Sequence, residues 1–312
     1  MNKKSNDLIL SLAPMAGLTD KAFREICQDW GVDVTWSEMV SSEGLVRQPI
    51  ENNKSLELSE KFGEKEKNYW VQLFGCDPES MAKAAKIIEE KIKPTGININ
   101  LGCPVKKAQK AGYGAIQMGK IPEVLEIIKA IKKETTLPLS LKTRVGLKNQ
   151  EEILEFAPKL EKAGINELIV HARTLKGMFH ETPHWEIVKK LTDTLTIPIT
   201  YNGGIKTFED ANFYQKKTEC DHLMIGQAAI GKPWIFWQIK NQTHEEPGLD
   251  KIKETILKHA NLVLKHYGEK SMMTFRTHLA AYLKGRPNAS ALRKEAVKIN
   301  TLEDVKKIIA KI

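Results

Sequence analysis

The chain has 312 residues, 41% of them hydrophobic, which suffices for a large core and exceeds the usual size of a single domain. No stretch approaches the roughly 20 apolar residues of a membrane span. The four cysteines (Cys27, Cys76, Cys103, Cys220) contain no C-x-x-C pair, which argues against a disulfide framework or structural zinc and for a reducing cytoplasm. The formal charge of +9 is uneven: residues 251–312 hold 14 Lys/Arg against 5 Asp/Glu, and residues 1–250 sum to zero. A neutral body with a basic end suits a polyanionic partner, most often nucleic acid.

The N-terminal stretch MNKKSNDLILSLAPMAG has positive charges, then only about six apolar residues running into a turn, so it reads as a first strand and not a signal peptide. Strands are predicted at 8–13, 33–37, 69–74, 96–101, 138–143, 167–171, 197–201 and 221–225. Amphipathic helices fall between most of them, for example over 78–92, 122–133 and 151–163, and proline is expected at the first helical position of the first two. Eight strand–helix units predict an α/β fold, a (β/α)8 TIM barrel over residues 1–240. Residues 241–250 (NQTHEEPGLD) look like a hinge. Beyond them only helical periodicity remains, at 251–267, 271–285, 289–298 and from about 302, which predicts a small C-terminal helical domain over 246–312 with Met272, Met273, Phe275, Leu279 and Leu283 in its core.

The C-terminal strand ends collect an unusual set of polar groups. The fourth strand, with its amides Asn98 and Asn100, runs into Gly102-Cys103-Pro104, which puts one thiol at the barrel mouth, where such enzymes keep reactive groups. A basic, glycine-containing loop (105–119) follows. The first strand ends in Pro14-Met15-Ala16-Gly17, a turn whose backbone can approach a flat ligand. Strand 3 carries Gln72, strand 5 ends in Lys142-Thr143-Arg144, strand 6 in His171-Ala172-Arg173-Thr174, strand 7 in Asn202-Gly203-Gly204 and strand 8 in Gly226-Gln227. Singly, each has a packing or turn explanation. Jointly they are hard to explain by packing, because buried polar groups cost free energy unless paired. Glycine turns on the last two strands form a phosphate-binding arrangement. With a lysine and an amide across the mouth this fits flavin mononucleotide (FMN), while the absence of G-x-G-x-x-G makes a nicotinamide a transient reductant.

The segments APMAGLTD (13–20), VQLFG (71–75), ININLGCP (97–104), LKTRVG (141–146), HART (171–174), YNGGI (201–205) and IGQAAIGKPW (225–234) closely resemble those of the tRNA-dihydrouridine synthases, in the expected order across the barrel. Phe275-Arg276-Thr277-His278-Leu279 and Tyr282-Leu283-Lys284-Gly285 resemble the helical domain with which bacterial members hold tRNA. The resemblance implies reduction of the C5–C6 bond of selected tRNA uridines, of the D-loop type, through FMN and NADPH. It implies FMN contacts from Pro14, Met15, Ala16, Gln72, Lys142, His171, Asn202, Gly203, Gly204, Gly226 and Gln227. Cys103 would be the catalytic acid and Arg173 would lie near flavin or substrate, with Asn98, Asn100 and Arg276 as further substrate or RNA contacts. Three positions depart from the family pattern: Gln227 stands where an arginine is usual, Leu175-Lys176 replaces an expected further arginine, and Gly204 replaces a common aspartate.

Reducing uracil needs a hydride at C6 and a proton at C5, best delivered from opposite faces. A thiol of ordinary pKa, about 8.5, is mostly protonated at pH 7 and can serve as the acid. The uridine must leave the RNA stack, at a cost of a few kcal/mol, which phosphate contacts from Lys106, Lys107 and Lys110 and from the basic tail could offset. The residues leave open two rival readings, an FMN barrel acting on a small molecule and an RNA-binding protein with a vestigial flavin site.

Overall fold

The computed structural model describes residues 8–312, so the charged residues 1–7 of the stretch read as leading into a first strand lie outside the described residues. The elements run β1 (Ile9–Leu12), α1 (Lys21–Asp29), β2 (Thr35–Ser41), α2 (Ser42–Arg47), α3 (Lys54–Leu58), β3 (Tyr69–Phe74), α4 (Pro78–Lys91) and β4 (Gly96–Leu101). Then come α5 (Lys106–Lys110), α6 (Ile121–Glu134), β5 (Leu139–Gly146), α7 (Glu152–Lys162), β6 (Glu167–Thr174), α8 (Trp185–Thr194), β7 (Ile199–Asn202), α9 (Phe208–Thr218), β8 (His222–Ile225) and α10 (Ile235–Lys240). Four helices follow: α11 (Leu249–Tyr267), α12 (Met272–Tyr282), α13 (Ala289–Ala296) and α14 (Leu302–Ile309). Among the described residues no helix is long and apolar enough to cross a membrane.

All eight strands pair in parallel, and β1 pairs β8. A bridge between Ser11 of β1 and Val34, the residue before β2, brings the two edge strands together, so the predicted (β/α)8 barrel is the observed fold. Alternation along each strand sorts the side chains. On β4, Ile97, Ile99 and Leu101 pack outward under the helices, so Asn98 and Asn100 point into the barrel. Trp36, Ile169 and Met224 form a separate buried apolar cluster, and Trp70 stacks on Trp36 with ring centroids 5.3 Å apart.

The local signals act as expected at α4. The Asp77 carboxylate caps the Ser80 N–H at 2.8 Å, Pro78 takes the first helical position, and Met81, Ala84, Ala85 and Ile88 form the buried stripe. In α6 the proline falls second, because Ile121 opens the helix. Strands β5 and β6 run three residues past their expected ends, to Gly146 and Thr174. Helices α2 and α3, with six and five residues, were not expected, since so few turns leave no measurable periodicity. The basic loop after Cys103 is likewise structured, as α5 and a 3₁₀ turn over Gly114–Gly119.

The C-terminal helices build a second apolar cluster around Ile256, Val263, Phe275, Leu279 and Ile308, joined by Ala22 and Ile26 of α1 and by Trp234. Met273 corrects one expectation. It is 55% exposed and lines a groove of about 500 Å³ with Arg276, Lys284 and Arg293. The segment expected to be a hinge is strapped to α10, where Gln238 Nε2 donates to the carbonyls of His244 (3.3 Å) and Glu245 (2.8 Å). The barrel also meets α12 backbone to backbone. Gly231 has φ +74, and a Cβ there would overlap the Ala281 peptide. Gly231→Ala is therefore expected to cost about 2–4 kcal/mol, from left-handed strain plus overpacking, read as a lowered thermal midpoint.

Candidate active site

The turn that carries Cys103 is built from β4 upward. Asn100 Oδ1 accepts the N–H groups of Gly102 (3.1 Å) and Cys103 (3.0 Å), so one side chain folds the chain at the strand end. Asn100 Nδ2 donates to Gln72 Oε1 (2.8 Å), Gln72 Nε2 to Asn98 Oδ1 (2.6 Å) and Asn98 Nδ2 to Ser140 Oγ (2.9 Å). This ladder of amides crosses from β3 through β4 to β5 and fixes the position of Cys103 from below. From above, the Cys103 carbonyl accepts the Ala115 N–H at 3.1 Å, and a Cβ on Gly114 would lie 2.9 Å from that oxygen. Gly114, with φ +76, is what lets the loop close over the turn. The thiol is free and 8% exposed.

The other side of the mouth is cationic. Lys142 aligns with Asn100 across the β4–β5 pair, and its Nζ donates to Asn202 Oδ1 at 2.9 Å. Asn202 Nδ2 donates in turn to the Met224 carbonyl (2.8 Å), which orients its oxygen toward the lysine. Burial, with Arg144 beside it, pushes the Lys142 ammonium down to about 7. The same physics acts on His171: burial first, then Lys142, Arg144 and Arg173, hold its imidazole well below the ordinary histidine range, so it is neutral at pH 7. Its Nε2 faces Arg173 Nη1 at 3.2 Å and, opposite an obligate donor, must accept.

Gly203 and Gly204 follow β7 with φ of +122 and +79, and a Cβ on Gly203 would stand 2.9 Å from His171 Cδ2. At the end of β8, Gly226 abuts the β1 turn, where a Cβ would lie 3.4 Å from the Ala13 Cβ and 3.5 Å from Met15 Sδ. Among the described residues no carbonyl or side chain accepts from the N–H groups of Gly203, Gly204 or Gly226. Unpaired donors, a lysine and an asparagine at one mouth form a cradle suited to an anion.

Placement of the expected residues divides by depth. Cys103, Lys142, His171, Arg173, Asn202, Gly203, Gly204 and Gly226 sit at the strand ends, with half-buried Pro14 and Met15 and exposed Ala16 on the β1 turn and Gln227 exposed beyond β8. Gln72 and Asn98 lie one layer lower, both 0% exposed. Asn98 spends its oxygen on Gln72 and an N–H on Ser140, so it supports the mouth from beneath. Lys106, Lys107 and Lys110 are exposed on α5, directly after the Cys103 turn. Arg276 lies apart on α12, bonded to the Ile299 carbonyl (2.9 Å) and Asn300 Oδ1 (2.8 Å).

Two residues beside the mouth were given no role from the sequence: Arg144, noted only as part of its strand end, and Glu38. Arg144 is 1% exposed; its Nε holds the Gly102 carbonyl (3.0 Å) and its Nη1 those of Thr174 and Met178 (both 3.0 Å), tying the Cys103 turn to the loop after β6. The i, i+2 spacing from Lys142 was the available signal, since it puts both cations on one strand face. Glu38, midway along β2, accepts the Gly17 N–H and so holds the β1 turn; burial pushes its carboxyl up.

Comparisons with known proteins give the family and the fold. A family model described as dihydrouridine synthase matches residues 11–311. The chain is 33% identical to a probable tRNA-dihydrouridine synthase of Aquifex aeolicus, over 99% of this chain and 96% of that protein. It is 36% identical to tRNA-dihydrouridine synthase B of Pasteurella multocida, over 89% and 84%. Among solved structures it resembles a 2-naphthoyl-CoA reductase, with TM-score 0.59 at 11% identity over 75% of this chain and 50% of that one. A histamine dehydrogenase from Rhizobium gives TM-score 0.57 at 11% identity over 81% and 48%, and both likenesses concern the fold alone.

Proposed function

The chain belongs to the dihydrouridine synthase family and is an oxidoreductase that reduces uridine to dihydrouridine; from that premise we propose that its barrel mouth binds FMN, uses NADPH as reductant and acts on uridines of tRNA in the cytoplasm. The observation that carries this reading is the single mouth that presents a rigidly held thiol on one strand end and a lysine–asparagine–glycine cradle on the next ones.

The residues present fit the cofactor. The free N–H groups of Gly203, Gly204 and Gly226 suit the FMN phosphate, without the cation that an arginine at position 227 would add. Pro14, Met15 and Ala16 offer a turn against which a planar ring can lie, and Lys142 and Asn202 offer donors for its polar edge. Gln72 keeps one N–H beyond its ladder bonds. When bound, FMN supplies the hydride for uracil C6. Lys142 places positive charge where negative charge develops on the ring, and neutral His171 adds no repulsion to that cluster. Cys103 donates the thiol proton to C5 from the other face of the base, and the amide ladder keeps its backbone still while it does so. Exposed Lys106, Lys107 and Lys110 and the basic groove at Arg276 would hold RNA phosphates, which assigns residues 1–240 to catalysis and 246–312 to holding RNA. Formation of dihydrouridine in unmodified tRNA by the yellow, NADPH-supplied protein tests the proposal, and a colourless protein that forms none refutes it.

The lysine predicts a pH dependence. In the free protein Lys142 is charged below about 7 and neutral above it, and an anionic partner favours the charged form. Because the ammonium is the stronger donor to the ring edge and is attracted by the phosphate, FMN affinity is expected to be highest below pH 7 and to fall severalfold above it, until the bound-state pKa is passed. Quenching of flavin fluorescence at pH 6 to 9 reads this directly. Lys142→Met should bind more weakly and with a flat profile.

A further inference from the structure

The β1–α1 turn, residues 13–20, is held from two sides. From the barrel, Thr19 Oγ1 accepts the Met15 N–H (2.9 Å), Glu38 takes the Gly17 N–H, and Arg24 Nη1 donates to the Thr19 carbonyl (3.1 Å). From the C-terminal helices come two more links. His278 Nε2 on α12 lies 3.0 Å from the Leu18 carbonyl, and the Tyr267 hydroxyl at the end of α11 accepts the Lys21 N–H at 2.9 Å. These two residues are 260 and 246 positions away in sequence from the groups they hold.

His278 is poorly suited to a purely packing role. It is 2% exposed, and its Nδ1 has no partner. A carbonyl can only accept, so Nε2 carries the proton and Nδ1 is a buried, unsatisfied acceptor. The ring lies among Phe23 (centroids 4.6 Å apart) and His259 (4.7 Å), an aromatic nest in which phenylalanine would pack without that penalty. Burial holds both imidazoles below the ordinary range, so the donor is a neutral, permanent one at pH 7. What histidine adds over phenylalanine here is the bond to Leu18.

We propose that His278 and Tyr267 are positioning residues through which the C-terminal helices hold the β1–α1 turn in its ligand-facing shape. The helices thus do more than carry RNA: they complete the floor on which the ring is laid. This rests on the reading that the turn faces FMN, but only in its consequence for binding.

The test uses the full chain with His278→Phe, Tyr267→Phe and His278→Gln, the last keeping a donor near the position of Nε2. Hydrogen exchange of amides 15–20 is measured without flavin. It is expected to quicken about tenfold in the two phenylalanine variants, the worth of one hydrogen bond, and to stay near wild type in His278→Gln. FMN dissociation constants should follow the same order, with unchanged thermal midpoints excluding general loosening. Unchanged exchange in both phenylalanine variants overturns the proposal. Quickened exchange in a protein that never takes up FMN upholds the clamp and refutes the flavin assignment instead.

Discussion

Replacing Cys103 by alanine is expected to slow uridine reduction by about 10²–10⁴-fold, the usual contribution of a positioned general acid. The structure makes this a clean substitution. Asn100 grips the backbone N–H of Cys103 and Ala115 its carbonyl, and alanine keeps both. RNA affinity and flavin content should therefore match wild type, and the loss should appear in the rate at which bound, reduced flavin is reoxidised by tRNA. Serine at this position should recover little, because a hydroxyl is a far weaker acid than a thiol. A Cys103→Ala protein that reoxidises its flavin within threefold of the wild-type rate would show that the C5 proton comes from elsewhere.

Arg24→Met is expected to cost about 3–5 kcal/mol of folding stability, the largest loss foreseen for any single change outside the site. Arg24 and Glu66 are each 1% exposed at the side chain and 2.7 Å apart. The carboxylate also accepts from Thr35 Oγ1 (2.7 Å) and the Phe62 N–H (2.9 Å), and the guanidinium also reaches the carbonyls of Thr19 (3.1 Å) and Glu60 (2.8 Å). Removing the cation strands a buried carboxylate. Removing both charges, as in Arg24→Met with Glu66→Leu, should recover part of the loss, since the penalty lies in the unpaired ion. Denaturant titration of the two variants checks the order; a single variant within about 1 kcal/mol of wild type contradicts it.

Strand ends carry most of what could be read from the chain alone. On β4 the alternation of isoleucine and asparagine states which side chains face inward, and Gly-Cys-Pro marks where the strand stops, so the position of the Cys103 turn was legible. Depth was not. Asn98 and Asn100 share one face and were both expected near substrate, yet Asn98 aligns with Ser140 and Asn100 with Lys142, one layer higher. A two-residue period fixes the side of a strand, while height in the barrel depends on register with neighbours. Arg144 was noted at its strand end but given no role for a related reason: its partners, the carbonyls of Thr174 and Met178, arrive from the next unit of the barrel. In the tail, Met273 shares its helix with buried Phe275 and Leu279 but falls on the solvent side, because the stripe runs through Met272, Phe275 and Leu279. The family motifs pointed to Gly203 and Gly226, and geometry adds why no side chain fits between Gly203 and His171.

One distance decides whether Cys103 is the proton donor. In a structure of the flavin-loaded protein with a tRNA whose target uridine is turned into the barrel, Cys103 Sγ should lie about 3–4 Å from C5, on the face of the base turned away from the isoalloxazine. A uridine stacked on the flavin with that sulfur on the same side, or out of reach, would contradict it.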